Sequence, residues 1–203
     1  MKKRGICIWL TGLPCSGKST IAKGLSEKLI ERGRDVEILD GDIVRNFLNK
    51  DLGFTKEDRL ENMRRVSVLA DLLTKHGVDV IVALVSPYRE GRDKARKLLP
   101  LFVEVYVKAS LETCEKRDVK GMYKLAREGK IKNFTGVDDP YEEPLNPEII
   151  CDTEKEEIEE SVNKIIKFLE ERNFIEVKES EETGYTEEEE EEIKKRLEEL
   201  GYI

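Results

Sequence analysis

Histidine is almost absent from this 203-residue chain, with His76 its single copy. One histidine without a partner motif supplies neither a zinc-ligand pair nor an acid–base couple. It precedes Gly77 and reads as the last residue of a helix, where the dipole favours a cation. The four cysteines, Cys7, Cys15, Cys114 and Cys151, lie far apart and form no CxxC pair. That spacing excludes a disulfide framework and a zinc site and leaves reduced thiols. No apolar run approaches the roughly 18 residues of a membrane span. The Met-Lys-Lys-Arg start leads into a short strand-like run rather than a signal peptide. The expectation is a soluble, cytoplasmic protein with no membrane partner. Tryptophan also occurs once, and Trp9 alternates on the first strand as a core residue.

Charged residues make up 39% and apolar residues 38% of the sequence, enough for a core and against general disorder. The net charge of -8 is unevenly placed, +4 over residues 1–150 and -12 over 151–203. A mildly basic body suits anionic small molecules, whereas an acidic C-terminal part argues against a nucleic-acid partner. The length suits one α/β domain with a short appendage.

Strand-length apolar runs alternate with helix-period segments. Ile6–Leu10, Val36–Leu39, Val78–Val85, Phe102–Val107 and Glu148–Cys151 read as strands, and the third has the pattern of a strand covered on both faces. Lys18–Arg32 and Glu154–Arg172 read as helices, and Asp42 as the cap of a short helix over Ile43–Leu48. Thr55 with Asp58 starts a long helix that runs to His76 and stops at Gly77. This alternation predicts a parallel sheet between helical layers. The polar stretch 117–147, with Tyr123, Phe134 and Tyr141 interspersed, has the composition of a lid. The expected division is a domain over 1–172 and an appendage over 173–203, an acidic connector at Lys178–Thr183 followed by a capped amphipathic helix from Thr186 to Gly201. Glu187–Glu192 in that helix is a solvated charge run rather than a metal site.

Gly12-Leu13-Pro14-Cys15-Ser16-Gly17-Lys18-Ser19 fits G-x-x-x-x-G-K-[ST] between a buried strand and a helix, the setting a phosphate loop requires. Its glycines let backbone amides form a nest, and the helix adds the positive end of its dipole. Lys18 reaches β- and γ-phosphates and Ser19 ligates Mg²⁺, with Thr20 completing the ATP-binding run. The fold class is therefore a P-loop NTPase three-layer α/β sandwich with a short C-terminal helical appendage.

Leu39-Asp40-Gly41-Asp42 ends the second strand, where ligands of such sheets bind. A carboxylate there can hold Mg²⁺ or accept a hydroxyl proton. Arg45, Arg59, Arg64 and Arg65 put many cations near one strand end, either for a multiply charged oxyanion or as a surface network with Glu57 and Glu61. Asn62 shares a helix face with Arg59. Ser86-Pro87-Tyr88-Arg89 ends the third strand, as a turn or a phosphate contact.

With Gly53–Arg65, Arg117–Gly129 and Phe134–Glu142, these segments resemble the adenylylsulfate kinases over about residues 3–172. The resemblance implies transfer of the ATP γ-phosphoryl group to the 3′-hydroxyl of adenylyl sulfate, with Mg²⁺ and in a homodimer. It implies catalytic roles for Lys18, Asp42 and Ser86, Asp42 activating the acceptor and contacting Mg²⁺ with Ser19. Ser86 aligns with a serine assigned in the family to a phosphoenzyme intermediate. Arg45, Arg59 and Asn62 match groups that hold phosphosulfate and ribose, and Phe54 and Phe134 match aromatics that sandwich adenine. Val85, Ser86, Lys120 and Asn133 match further substrate contacts, with Arg117 and Arg127 near ATP. Pro14-Cys15 replaces the usual Ser-Gly or Ser-Ala, and Asn133 stands where glycine is common. From the residues alone, a P-loop kinase of another small hydroxyl acceptor or an idle nucleotide-binding regulatory module stays open.

Overall fold

The computed structural model describes residues 3–177. The expected connector and terminal helix lie outside the described residues. Five strands, β1 (Cys7–Thr11), β2 (Val36–Asp40), β3 (Asp79–Ala83), β4 (Phe102–Lys108) and β5 (Ile149–Asp152), form one parallel sheet in the order β2-β3-β1-β4-β5. Around it run α1 (Lys18–Ile30), α2 (Gly41–Phe47), α3 (Lys56–Lys75), α4 (Arg89–Leu98), α5 (Leu111–Arg117), α6 (Met122–Arg127) and α7 (Ile158–Glu171).

The alternation of side chains along β1 builds both layers at once. Ile6, Ile8 and Leu10 join a core with Leu25 of α1 and Ile165 of α7, while Cys7 and Trp9 join one with Met63 of α3 and Ala95 of α4. Every residue of β1 and β3 is buried, as expected of central strands in a parallel sheet. Ile175 still packs in the first core, so the folded body passes the expected boundary at 172. A third cluster joins Ala109 and Cys114 to Tyr123, Ala126 and Phe134 of the 117–147 stretch. Among the described residues no helix is long and apolar enough to cross a membrane.

Two expectations need correction. Helix α2 is capped by Asp40, whose carboxylate accepts from Asp42 N–H, so Asp42 lies inside the first turn with its carboxylate free of capping. Helix α7 starts at Ile158, after a Glu157–Glu160 capping box, because Glu154 instead accepts from the Ser110 and Thr113 hydroxyls of the α5 start. Helix α4 was not legible, since Arg89–Leu98 buries only Gly91, Arg92 and Ala95 and shows no wide apolar stripe.

Register sets the site. Leu10 and Asp40 both pair with Ala83, so β1, β2 and β3 end at one level. Gly12, Asp42 and Ser86 therefore emerge along one edge of the sheet, the edge where ligands of open α/β sheets bind.

Candidate active site

The loop after β1 is shaped by steric exclusion. A Cβ on Gly12 would come within 2.3 Å of the Val107 carbonyl oxygen, and Gly17 takes φ 106 to turn the chain into α1. Cys15 also adopts a left-handed φ of 62, a conformation glycine, one of its two usual counterparts, takes without strain. Lys18 is 8% exposed, and its Nζ donates to the Gly12 and Leu13 carbonyls at 3.0 and 2.7 Å. Burial lowers the Lys18 pKa to about 8, with nearby thiols and the Asp40 and Asp42 carboxylates opposing that fall. Leu13 and Cys15 pack against the third cluster, and Tyr123 donates its hydroxyl to Pro14 O, which ties the loop to the lid. Ser19 and Thr20 are exposed at the head of α1.

Ser19 Oγ donates to Asp40 Oδ2 at 2.7 Å. Asp40 thus joins the phosphate loop to the turn that carries Asp42. A hydroxyl and a carboxylate form an oxygen donor pair that suits a hard divalent cation with few protein ligands, its shell completed by phosphate and water. The carboxylate beside Ser19 belongs to Asp40, whereas Asp42, the expected partner, makes an ion pair with Lys120 of the lid. That pair raises the Lys120 pKa, chiefly through its hydrogen bond to Asp42. Both side chains are more than 60% exposed, so the pair contributes little to stability and opens readily.

Asp42 and Lys120 form one wall of a cavity of about 550 Å³ whose other walls include Arg45, Asn49 and Phe54. The Phe54 ring is 48% exposed, with the Arg45 guanidinium 4.3 Å and the Arg59 guanidinium 5.5 Å from its centroid. Arg45 makes no ion pair among the described residues. Burial, then the charge of Arg59, lowers its pKa, the sign of a cationic slot short of anions. Arg59 is 8% exposed, pairs with Asp139 at 3.3 Å and donates to Asn133 O at 2.6 Å. One guanidinium therefore touches the Phe54 ring and the backbone beside Phe134.

Phe134 is 9% exposed and sits edge-on to Tyr123 at 4.9 Å, and it does not line the cavity. Asn133 has φ 58, which explains why glycine is common there and why asparagine, which tolerates that region, can replace it. Asn62 shares the buried face of α3 with Arg59 but is 4% exposed; it accepts from Asn49 Nδ2, and Asn49 is the residue that lines the cavity. Arg64 and Arg65 bond to Glu61 and Asp51, so for these two the surface-network alternative holds.

Ser86 is 3% exposed with φ 47, and its Oγ accepts from Trp9 Nε1 at 2.9 Å. A hydroxyl packed against an indole and shielded from solvent is badly placed to become a phosphoenzyme. Val85 is half-buried and turns its carbonyl to Thr11 Oγ1 and Gly12 N. Arg117 donates to Thr153 O at 2.6 Å and Thr153 Oγ1 at 3.0 Å, and Arg127 is tied to Glu115 at 2.5 Å. In this conformation both arginines hold protein partners.

Several site residues escaped the sequence. Asp40 was visible in Asp-Gly-Asp, but spacing alone did not say which carboxylate serves Ser19. Asp138 fixes the lid turn by accepting from Asn133 N and Phe134 N at 2.7 and 2.6 Å, and Asp139 accepts from Tyr88 OH while pairing with Arg59. Both lie in the Phe-Thr-Gly-Val-Asp-Asp-Pro-Tyr-Glu run, so a motif signal existed without a role attached.

The profile of the adenylylsulphate kinase family matches residues 4–152. The adenylyl-sulfate kinase of Gloeothece citriformis is 57% identical over 175 residues, covering 86% of this chain and 99% of that protein. The Mycobacterium tuberculosis APS kinase solved in complex with AMPPNP and APS is 44% identical, with a TM-score of 0.80 over 82% of this chain and 98% of that one. A hexameric APS kinase from Thiobacillus denitrificans is 33% identical, with a TM-score of 0.66 over 86% of this chain and 30% of its own. Loop, cavity and lid all fall within the matched span, and this chain belongs to the adenylylsulphate kinase family.

Proposed function

We propose that the chain transfers the γ-phosphoryl group of ATP to the 3′-hydroxyl of adenylyl sulfate, giving 3′-phosphoadenylyl sulfate and ADP. The observation that carries this reading is the Asp40–Asp42 turn. One of its carboxylates takes the Ser19 hydroxyl of the phosphate loop, and the other lines the cavity that also holds Phe54. A donor in the loop and an acceptor in the cavity then meet across three residues. The cavity pairs an exposed ring with two guanidiniums, a combination suited to a base joined to a multiply charged anion.

In this reading, catalysis is positioning plus charge stabilisation. Loop amides hold the phosphate chain, and Lys18 leaves the Gly12 and Leu13 carbonyls for β- and γ-phosphate oxygens. Asp42 leaves Lys120, orients the 3′-hydroxyl and takes its proton as the new P–O bond forms and the bond to ADP breaks. Lys120, Arg45 and Arg59 face the phosphosulfate, and Phe54 stacks on the adenine. Ser86 shapes the wall through its turn, and the phosphoryl group passes directly from donor to acceptor. Ser19 with Asp40, rather than Asp42, would hold Mg²⁺, which would supply charge neutralisation to the phosphates. A homodimer in the cytoplasm, where ATP is available, belongs to the same proposal.

The deciding experiment is a coupled assay for ADP release with ATP and Mg²⁺, run with adenylyl sulfate and with a panel of other hydroxyl acceptors. Release that depends on adenylyl sulfate is expected. Equal release with a sugar acceptor, or none with any, would overturn the proposal.

Phe54→Ala removes the exposed face of the slot. Its KM for adenylyl sulfate is expected to rise by the equivalent of ~1–3 kcal/mol, the range for base stacking on aromatic side chains. The KM for ATP should stay near wild type, and an unchanged adenylyl sulfate KM would remove Phe54 from the slot.

A pH effect follows from Lys18, whose pKa near 8 in the free loop must rise once the ammonium meets polyphosphate. Above that pH, binding takes up a proton, so ATP affinity falls as pH rises, by up to about tenfold per pH unit. Calorimetric titration with a non-hydrolysable ATP analogue in two buffers of different ionisation enthalpy measures the uptake directly. Affinity independent of pH from 7 to about 9 would contradict it.

A further inference from the structure

Thr153 belongs to no recognised motif, yet it lies against the phosphate loop from behind, in the turn between β5 and α7. Its Oγ1 donates to Ser16 O at 2.9 Å, with Lys108 O a longer second acceptor at 3.3 Å, and accepts from Arg117 Nη1 at 3.0 Å. Its carbonyl accepts from Arg117 Nη2 at 2.6 Å, and its N–H donates to Lys108 O at 3.0 Å, which pins the turn to the end of β4. The Thr153 methyl lies 3.5 Å from where a Gly17 Cβ would stand. Every polar atom of this residue is therefore engaged, and one of them grips a carbonyl of the loop.

The consequence follows from peptide geometry. In a planar trans peptide the carbonyl and the following N–H point in opposite directions. Holding Ser16 O toward Thr153 aims Gly17 N–H away from it, and that N–H has no partner among the described residues. Gly17, with no Cβ and a φ of 106, leaves this peptide without the steric restraint a side chain would impose. We propose that Thr153, braced by Arg117, is a positioning residue that locks the Ser16–Gly17 peptide with its N–H turned into the loop, as a ready donor for a phosphate oxygen of ATP. Arg117 acts here through Thr153, beside a longer direct contact of its Nη1 with Ser16 O at 3.5 Å. This inference rests on the loop being the ATP site.

The test is steady-state kinetics of the full chain carrying Thr153→Val, which keeps the shape and loses the hydroxyl, beside Thr153→Ser, which keeps the hydroxyl. The valine variant should raise the KM for ATP about five- to tenfold, the net effect of losing the hydroxyl's bond to Ser16 O. Its KM for adenylyl sulfate should stay within about twofold, and serine should restore the ATP KM to within about twofold of wild type. In nucleotide-free protein, the Gly17 amide resonance should move in the valine variant and return in the serine variant. An unchanged ATP KM in the valine variant overturns the proposal. So does an equal loss toward both substrates, or a loss that serine does not restore. If neither Thr153→Val nor Thr153→Ala folds, Thr153 is a fold determinant and the proposal also fails. Wild-type protein that binds no ATP would instead sink the functional reading beneath it.

Discussion

Lys18→Ala is expected to lower kcat about a thousandfold, at the upper end of what losing one preorganised donor to a transition state costs. The reason lies in where Nζ rests. It is buried and held by two carbonyls of its own loop, so the cation is already stationed inside the phosphate cradle. Charge moving onto the β–γ bridging oxygen then meets a fixed countercharge in a site of low effective dielectric. Alanine leaves the amide nest in place, so ATP still binds, more weakly, while the transfer step loses its cation. Single-turnover measurement of phosphoryl transfer at saturating ATP isolates that step, and a thermal midpoint on the same sample shows whether the loop has held. A variant within about tenfold of wild type would remove Lys18 from the chemistry.

The acceptor side works by a different economy of charge. Arg45 and Arg59 both lie against the Phe54 ring, and among the described residues Arg59 alone of the two has a carboxylate partner, Asp139. Two guanidiniums kept close before any ligand arrives are a local electrostatic cost that an anion relieves on binding. Asp138 and Asp139 hold the lid turn against this slot, so the chain that closes over the acceptor is fixed by the arginine that would hold it.

What could be seen in the sequence follows from how local each determinant is. The phosphate loop lies within eight consecutive residues and is sterically forced, and the α3 start needs only Thr55 and Asp58, so both were legible. Strand β3 was legible because central strands of a parallel sheet are apolar on both sides. Helix α4 was not, since its buried side includes Arg92, whose charge is met by Glu104 from β4 and by the Ser86 and Glu142 carbonyls. No periodicity reveals an arginine used as a core residue. The choice between Asp40 and Asp42 turns on a two-residue shift of a helix cap, finer than pattern reading resolves. Phe54 and Phe134 entered only through family resemblance, and the structure separates them into an exposed ring and a buried one. Thr153 meets Ser16 across 137 positions, a contact with no trace in spacing.

Asp42→Asn should separate the two carboxylates of the turn. Asparagine fills the same space and still presents an oxygen to the acceptor hydroxyl, but it cannot take a proton. If Asp42 is the acceptor's base, kcat falls about 10²- to 10⁴-fold, the usual range for general-base catalysis, with both KM values near wild type. The Lys120 partner complicates the reading, because the substitution also releases that ammonium. Lys120→Ala supplies the control: it frees Asp42 without changing it, so it should raise the adenylyl sulfate KM and spare most of kcat. Asp40→Asn gives the contrasting pattern, since Asp40 serves Ser19 and caps α2, and its loss should appear as a greater requirement for Mg²⁺. Near-normal kcat in Asp42→Asn would leave the acceptor to lose its proton to water and reduce Asp42 to a binding group. A large loss that excess Mg²⁺ restores would transfer the metal role back to Asp42, because a missing base is not replaced by more cation.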